Sequence, residues 1–309
     1  MLRTKSIVND AMRAQMKNKP GFIAALDQSG GSTPGALRQY GVLDSAYNGD
    51  AEMYAMMHEM RVRIMSSAAF TGDKVIGAIL FERTMDGEAH GKPVPGYLWE
   101  DRHVVPLLKV DKGLEAETDG VSLMKPIPGL DALLARAEKL GVYGTKMRST
   151  INLASQSGIV AIVAQQFEFG RQIARAGLVP ILEPEVSIKS PDKAKAETIL
   201  LQELLKGADA WSESAPFMVK LTIPETVDLY APLIAHTKCD RVVALSGGYS
   251  LEDACKRLAQ NKEMIASFSR ALVEGLTRPM SDTDFDAKLA ANIEKIFRAS
   301  TQKVSATPT

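Results

Sequence analysis

The stretches LVPILEPEV (178–186) and FMVKLT (217–222) decide the fold. Each is a short, almost unbroken apolar run, without the strict alternation of a sheet that is wet on one side. A strand of that kind is covered on both faces, as in parallel α/β proteins. Four more runs share the pattern: FIAALD (22–27), VIGAILFE (75–82), VVPLLKVD (104–111) and RVVALSG (241–247). The weaker YGTKMR (143–148) and IASFS (265–269) bring the number to about eight, the count of a closed barrel.

Helical periodicity fills the intervals. Residues 50–66 set Met53, Met56, Met57, Met60, Val62 and Ile64 on or near one stripe, read as core filler. Leu130, Leu133, Leu134, Ala137 and Leu140 repeat before Gly141, a helix stop. Ser190-Pro191 predicts a cap and first helical position for a helix over 191–206. Ser250 with Asp253 predicts a capped start for 250–260, and Phe285, Leu289, Ile293, Ile296 and Phe297 mark a last helix over 282–298. The Gly-, Pro- and charge-rich segments 83–103 and 112–128 read as long loops. Strand–helix alternation leaves a closed barrel or an open doubly wound sheet. Strand count and the charges described next favour a single-domain TIM (β/α)8 barrel over 1–309. It carries an N-terminal helical segment at about 1–20 and a C-terminal helix plus flexible tail at about 282–309.

Charges occur where strands should be apolar. Asp27, Lys109, Asp111, Lys146, Arg148, Glu183, Glu185 and Lys220 all fall inside or at the carboxyl ends of the runs. A buried charge is expensive and persists only when paired or when chemistry needs it. One such residue is ordinarily a solvated end or a structural ion pair. Five strands showing both signs together point to the C-terminal face of a barrel, where active sites are built. Lys220, flanked by apolar neighbours, is the leading nucleophile: desolvation favours the neutral amine, and Lys146 nearby would favour it further. Such an amine attacks a ketone, and the protonated imine becomes an electron sink. Glu183 and Glu185, two apart, share one strand face, which would split their proton affinities, although ordinary ion pairs with Lys or Arg explain them as well.

Ser246-Gly247-Gly248, between a strand and the Ser250 helix, is an anion-cradling turn or simply a turn. Arg270, after Ser269, adds a forked donor at the neighbouring strand end. Asp27-Gln28-Ser29-Gly30-Gly31-Ser32 is a second Gly/Ser turn, so two anion sites suggest a substrate phosphorylated at both ends. His58, His90, His103 and His236 show no metal-binding spacing, and lysines interleave the carboxylates, so neither metal nor cofactor is expected.

Thirty-seven basic residues balance 37 acidic ones, which leaves no field for nucleic acid or an anionic membrane. With 45% hydrophobic and 24% charged residues, the chain has a globular composition. No apolar run reaches membrane-spanning length. Cys239 and Cys255 could form one disulfide, but a reducing compartment fits better. The amino terminus lacks a secretory apolar run. Its basic amphipathic character also fits a transit peptide, against which Asp10 speaks; the expectation is a cytoplasmic protein. A homo-oligomer is allowed but not specified.

The segments ALDQSGGS, ILFE, LKVDKG, TKMR, PILEPE, VKLTIP, LSGGYS and SFSRAL, in this order over nearly the whole chain, resemble the class I fructose-1,6-bisphosphate aldolases of bacteria. The resemblance implies a barrel that cleaves fructose 1,6-bisphosphate to dihydroxyacetone phosphate and glyceraldehyde 3-phosphate, in glycolysis and gluconeogenesis. It implies that Lys220 is the Schiff-base lysine, Glu183 the acid/base and Glu185 the carboxylate that positions the lysine. Asp27 would hold the C4 hydroxyl, and Lys146 would be the ammonium beside the imine. Ser246, Gly247, Gly248, Ser269 and Arg270 would surround the C1 phosphate, and Ser29, Ser32, Lys109 and Arg148 the C6 side. Departures exist: Gln28 replaces a glutamate and Met147 a tryptophan of animal relatives. No tyrosine follows Tyr249, where animal enzymes end in a catalytic one. Two other readings stay open: another Schiff-base phosphosugar lyase or transferase acting on monophosphates, or a non-catalytic phosphosugar-binding protein.

Overall fold

The computed structural model describes residues 10–304; expectations for residues 1–9 and for the SATPT tail lie outside them. Eight parallel strands form the wall: β1 (Phe22–Leu26), β2 (Val75–Leu80), β3 (Val105–Lys109), β4 (Gly144–Ile151), β5 (Val179–Val186), β6 (Phe217–Thr222), β7 (Cys239–Leu245) and β8 (Ile265–Phe268). Each pairs with the next, and β8 returns to β1, so the ring is closed. Every one of the eight runs singled out in the sequence is a wall strand. Near-continuous burial along β1, β2 and β6 is the reason those runs lack alternation: one face meets the barrel interior and the other the helices.

The outer layer includes α1 (Asp10–Asn18), α2 (Thr33–Gln39), α3 (Gly49–Ser66), α4 (Leu130–Lys139), α5 (Gln156–Arg175), α6 (Lys193–Asp209), α7 (Leu251–Ala259) and α8 (Asp282–Thr301). α1 is different in placement. Met12 and Met16 join Ile23, Ile76, Val105, Val179, Met218 and Val243 in the barrel's interior cluster. Arg13 and Lys17 bind Asp240 at 2.9 and 3.2 Å, and Gln15 Nε2 donates to the carbonyls of Ile76 and His103. The helix thus closes the end of the barrel opposite the strand carboxyl termini.

Several local expectations need correction. The segment 83–103 is not one long loop, whereas 112–128 is a loop apart from a two-residue strand and two isolated bridges. The first holds a hairpin pairing Glu88–Ala89 with Lys92–Pro93 and a wide helical turn over Tyr97–Asp101. The second runs Val121–Ser122 antiparallel to Ile151 and Thr150 of β4. Their anchors, Val94, Leu98, Val121 and Met124, are buried, and Gly and Pro there shape turns. The helix expected from Ser190-Pro191 begins instead at Lys193, with Asp192 at its cap position and no side-chain cap. The fully buried stripe of α3 passes through Met53, Met57, Met60, Arg61 and Ile64, and Met56 and Val62 flank it, half-buried and packed against the core. Ser250 does cap α7, accepting from the Asp253 amide at 3.2 Å, and Gly141 turns the chain at φ +81 after α4.

Three seams of the wall, β8–β1, β7–β8 and β5–β6, pair at only two positions each, and the last of them borders the site. β4 and β5 are in register at eight positions, from Gly144↔Val179 to Ile151↔Val186. β5 and β6 pair only at Ile181↔Met218 and Leu182↔Val219. Pro184, without an amide proton, cannot extend that ladder. The seam therefore ends just below Glu183 and Lys220.

Candidate active site

Seven of the eight strand ends deliver a functional side chain to one cavity of about 580 Å³ at the carboxyl-terminal mouth. β1 ends in Asp27, β3 in Lys109, β4 carries Lys146 and Arg148, β5 Glu183 and Glu185, and β6 Lys220. Ser246 and Gly247 follow β7, and Ser269 and Arg270 follow β8; Gln28, Ser29 and Ser32 line the rim above β1. Asp111 and Ser267, which were not expected in the binding set, also face the cavity. Gly248 does not line it; its φ of +116 makes it a turn residue beside Arg270. Parallel strands entering a closed ring explain the convergence, because every carboxyl end points to the same face.

The centre is a lysine boxed by carboxylates. Lys146 Nζ lies 2.6 Å from Asp27, 2.9 Å from Glu183 Oε2 and 3.8 Å from Asp111. Lys220 Nζ lies 3.0 Å from the other Glu183 oxygen, so the two ammonium groups share one carboxylate. Lys146 approaches Oε2 off the hydrogen-bond direction, and that oxygen has no hydrogen-bond partner among the described residues. Lys220, Lys146 and Glu183 are each under 5% exposed, where Coulomb interactions are far less screened than at the surface. Burial works to raise the Asp27 carboxyl, yet Lys146, Lys220 and Lys109 outweigh it and hold it well below the usual carboxylate range. Burial likewise opposes charge on Lys146, but Asp27, Glu183 and Asp111 hold it well above the usual ammonium range.

Further out, Lys109 is clamped by Asp111 at 2.7 Å, and Arg148 Nε is bonded to Glu185. Glu185 was expected to position Lys220; its partner is Arg148, and the carboxylate against Lys220 is Glu183. Four carboxylates and five cations line the cavity. Arg270 is the cation left over: it makes no hydrogen bond or ion pair among the described residues. It stands beside the Ser246–Gly247 turn, where Gly247 has a φ of +61 and a β-carbon would come within 2.7 Å of Ile188. Only glycine fits there. Ser32 Oγ, by contrast, is engaged locally, accepting from the Ser29 amide and donating to the Ser29 carbonyl.

The chain has 55% identity over 292 residues to the class 1 fructose-bisphosphate aldolase of Synechocystis sp., covering 94% of this chain and 97% of that protein. It has 53% identity over 293 residues to that of Porphyromonas gingivalis, covering 95% and 99%. The profile of the family "Fructose-bisphosphate aldolase class-I" matches residues 20–207. The chain belongs to the class I fructose-bisphosphate aldolase family. Among solved structures it is similar to the aldolase of Plasmodium falciparum, crystallised with TRAP and a small-molecule inhibitor. The TM-score is 0.73 at 20% identity, covering 96% of this chain and 95% of that one, a likeness of fold. No described helix of this aldolase-family chain is long and apolar enough to cross a membrane. No group of three or more His, Cys, Asp or Glu side chains among the described residues is placed to hold a metal ion.

Sequence reasoning missed Arg61, which lies behind the site, 2% exposed. The signal was available: Arg61 is four residues after Met57 and three before Ile64, squarely on the buried stripe of α3.

The depressed Asp27 carboxyl has a consequence for acid stability. A carboxyl that ionises more readily folded than unfolded contributes stability above its unfolded pKa, near 4, and loses it as pH falls toward the folded value. Asp27→Asn is expected to flatten the acid limb of the stability profile, measured as melting temperature between about pH 6 and 3. Parallel limbs in variant and wild type would contradict the assignment.

Proposed function

We propose that this chain cleaves fructose 1,6-bisphosphate reversibly to dihydroxyacetone phosphate and glyceraldehyde 3-phosphate through an imine on Lys220. The observation that carries the reading is the sharing of Glu183 between Lys220 and Lys146 at the floor of a cavity with a free cation at its rim. Lys220 attacks the C2 ketone, and loss of water leaves a protonated imine. Glu183, with one oxygen free of directed hydrogen bonds, accepts the C4-hydroxyl proton. The C3–C4 bond then breaks, its electron pair moving toward the imine nitrogen to form an enamine, and the aldehyde departs. Protonation of the enamine carbon and hydrolysis release the ketone and restore the amine. Lys146, kept charged by three carboxylates, stabilises negative charge developing near Asp27 and Glu183.

Arg270 with Ser246, Gly247 and Ser269 forms the C1-phosphate site, and Ser29, Ser32, Lys109 and Arg148 attend the C6 phosphate. Lys109 and Arg148 reach that phosphate in competition with Asp111 and Glu185, so the C1 end is the stronger anchor. The two cysteines are unpaired thiols, which suits a cytoplasmic setting. The test is reduction with borohydride in the presence of dihydroxyacetone phosphate. Irreversible inactivation with the three-carbon label on Lys220 is expected, in chelator as in buffer. Turnover abolished by chelator, or a label on another lysine, would overturn the reading.

A further inference from the structure

Arg61 is a buried guanidinium without a carboxylate partner among the described residues. Its Nη1 donates to Thr84 Oγ1 at 2.8 Å and its Nη2 to the Gln28 carbonyl at 2.5 Å. Nη2 also reaches Gln28 Oε1, loosely, at 3.4 Å, and Nε has no acceptor. Burial pushes the group down to about 10, with Asp27 and then Tyr54 acting against it. Unpaired buried cations are among the costliest features of a core, and filling the space behind β1 does not require one.

We infer that Arg61 is a positioning residue that fixes the donor direction of Ser269 at the C1-phosphate site. An arginine has only donors, so the end of the Gln28 amide turned toward it is the oxygen. The amide nitrogen is thereby turned to Ser269 Oγ, 2.6 Å away. That nitrogen can only donate, which occupies a lone pair of the Ser269 oxygen. The Ser269 proton is left pointing away from Gln28, into the cavity beside Arg270. The near anion site thus turns two donors toward its ligand, the hydroxyl of Ser269 and the fork of Arg270. A fully ionised phosphate satisfies both; a protonated one offers a weaker acceptor on one oxygen and one charge fewer to Arg270. The relay favours the phosphate dianion, and it rests on the aldolase reading only for which phosphate is bound in turnover.

The test uses inorganic phosphate, titrated calorimetrically against the full-length protein, so that it does not depend on catalysis. Arg61→Met and Ser269→Ala are each expected to weaken phosphate binding about tenfold, the scale of one hydrogen bond to a charged group. The double variant should lose no more than either single one, because both cut the same chain. Arg61→Lys, which keeps the charge, should recover part of the loss. In the wild type, affinity should climb as phosphate loses its second proton near pH 6 to 7. That climb should be shallower in Arg61→Met. Borohydride trapping of unphosphorylated dihydroxyacetone should be unchanged in Arg61→Met, which separates the relay from a general loss of structure. Losses that multiply in the double variant, or phosphate affinity within twofold of wild type in Arg61→Met, would overturn the inference. Should Arg61→Met fail to fold, Gln28→Met cuts the relay without uncovering the helix, and tenfold weaker phosphate binding is again required. Failure of wild-type trapping with retained phosphate coupling would refute the aldolase reading and leave the relay standing.

Discussion

Lys220→Ala is expected to lower kcat/KM for fructose 1,6-bisphosphate by at least about 10⁴-fold and to abolish borohydride trapping, because the neighbouring Lys146, held charged by Asp27, Glu183 and Asp111, is no substitute nucleophile. The fold should survive. Lys220 leaves behind Glu183, whose second oxygen still lies 2.9 Å from Lys146, so no carboxylate is stranded without a counter-charge. The variant should therefore unfold at a denaturant midpoint near that of the wild type while being catalytically silent. Steady-state kinetics and a urea titration on the same preparation check both halves. Activity within tenfold of wild type would remove Lys220 from the chemistry, and a collapse in stability would mean that the loss of activity says nothing of mechanism.

Lys146→Met behaves in the opposite way. Asp27, Glu183 and Asp111 converge on that ammonium; without it Glu183 keeps Lys220 and Asp111 keeps Lys109, but Asp27 loses its only ion pair among the described residues, in a site shielded from water. Breaking a buried ion cluster by deleting one partner costs about 3–5 kcal/mol. Activity should fall by at least about 10²-fold through loss of fixed positive potential. The stability loss has a signature of sign. Crowded carboxylates without their cation bind protons more tightly folded than unfolded, so the variant should regain stability as pH falls through the carboxylate range. The wild type gains nothing there, and its depressed Asp27 costs stability only below about pH 4. Melting temperatures at pH 7 and near pH 5 decide it: a variant that weakens on acidification would contradict the central place given to Lys146.

The wall of the barrel was legible because apolar runs on β1, β2, β5 and β6 are buried on both faces, a condition that leaves a mark in composition alone. The site was legible for the reverse reason: Lys146, Glu183 and Lys220 sit in strand interiors that should be apolar. Pairing was less so. Spacing puts Glu183 and Glu185 on one face, but only the stagger between neighbouring strands settles which cation each meets; Arg148 stands opposite Glu183 in the ladder yet bonds Glu185. Segment 83–103 misled because Gly and Pro mark turns equally well between short ordered elements and in open loops. Helical spacing is enough to put Arg61 inside but not to say what it does there, because its partners, a carbonyl, an amide and a hydroxyl, carry no charge that a sequence pattern could match.

Where β5 and β6 leave their ladder, side chains take over the work of the backbone. Above Leu182 the two strands are tied by the Thr222 hydroxyl, which donates to the Val186 carbonyl at 2.6 Å, and by Lys220 against Glu183. A peptide ladder holds its partners at one spacing, whereas a hydroxyl and an ammonium can follow a moving acceptor by rotating about their own bonds. Glu183 and Lys220 therefore sit at a join of the wall that is elastic without being open.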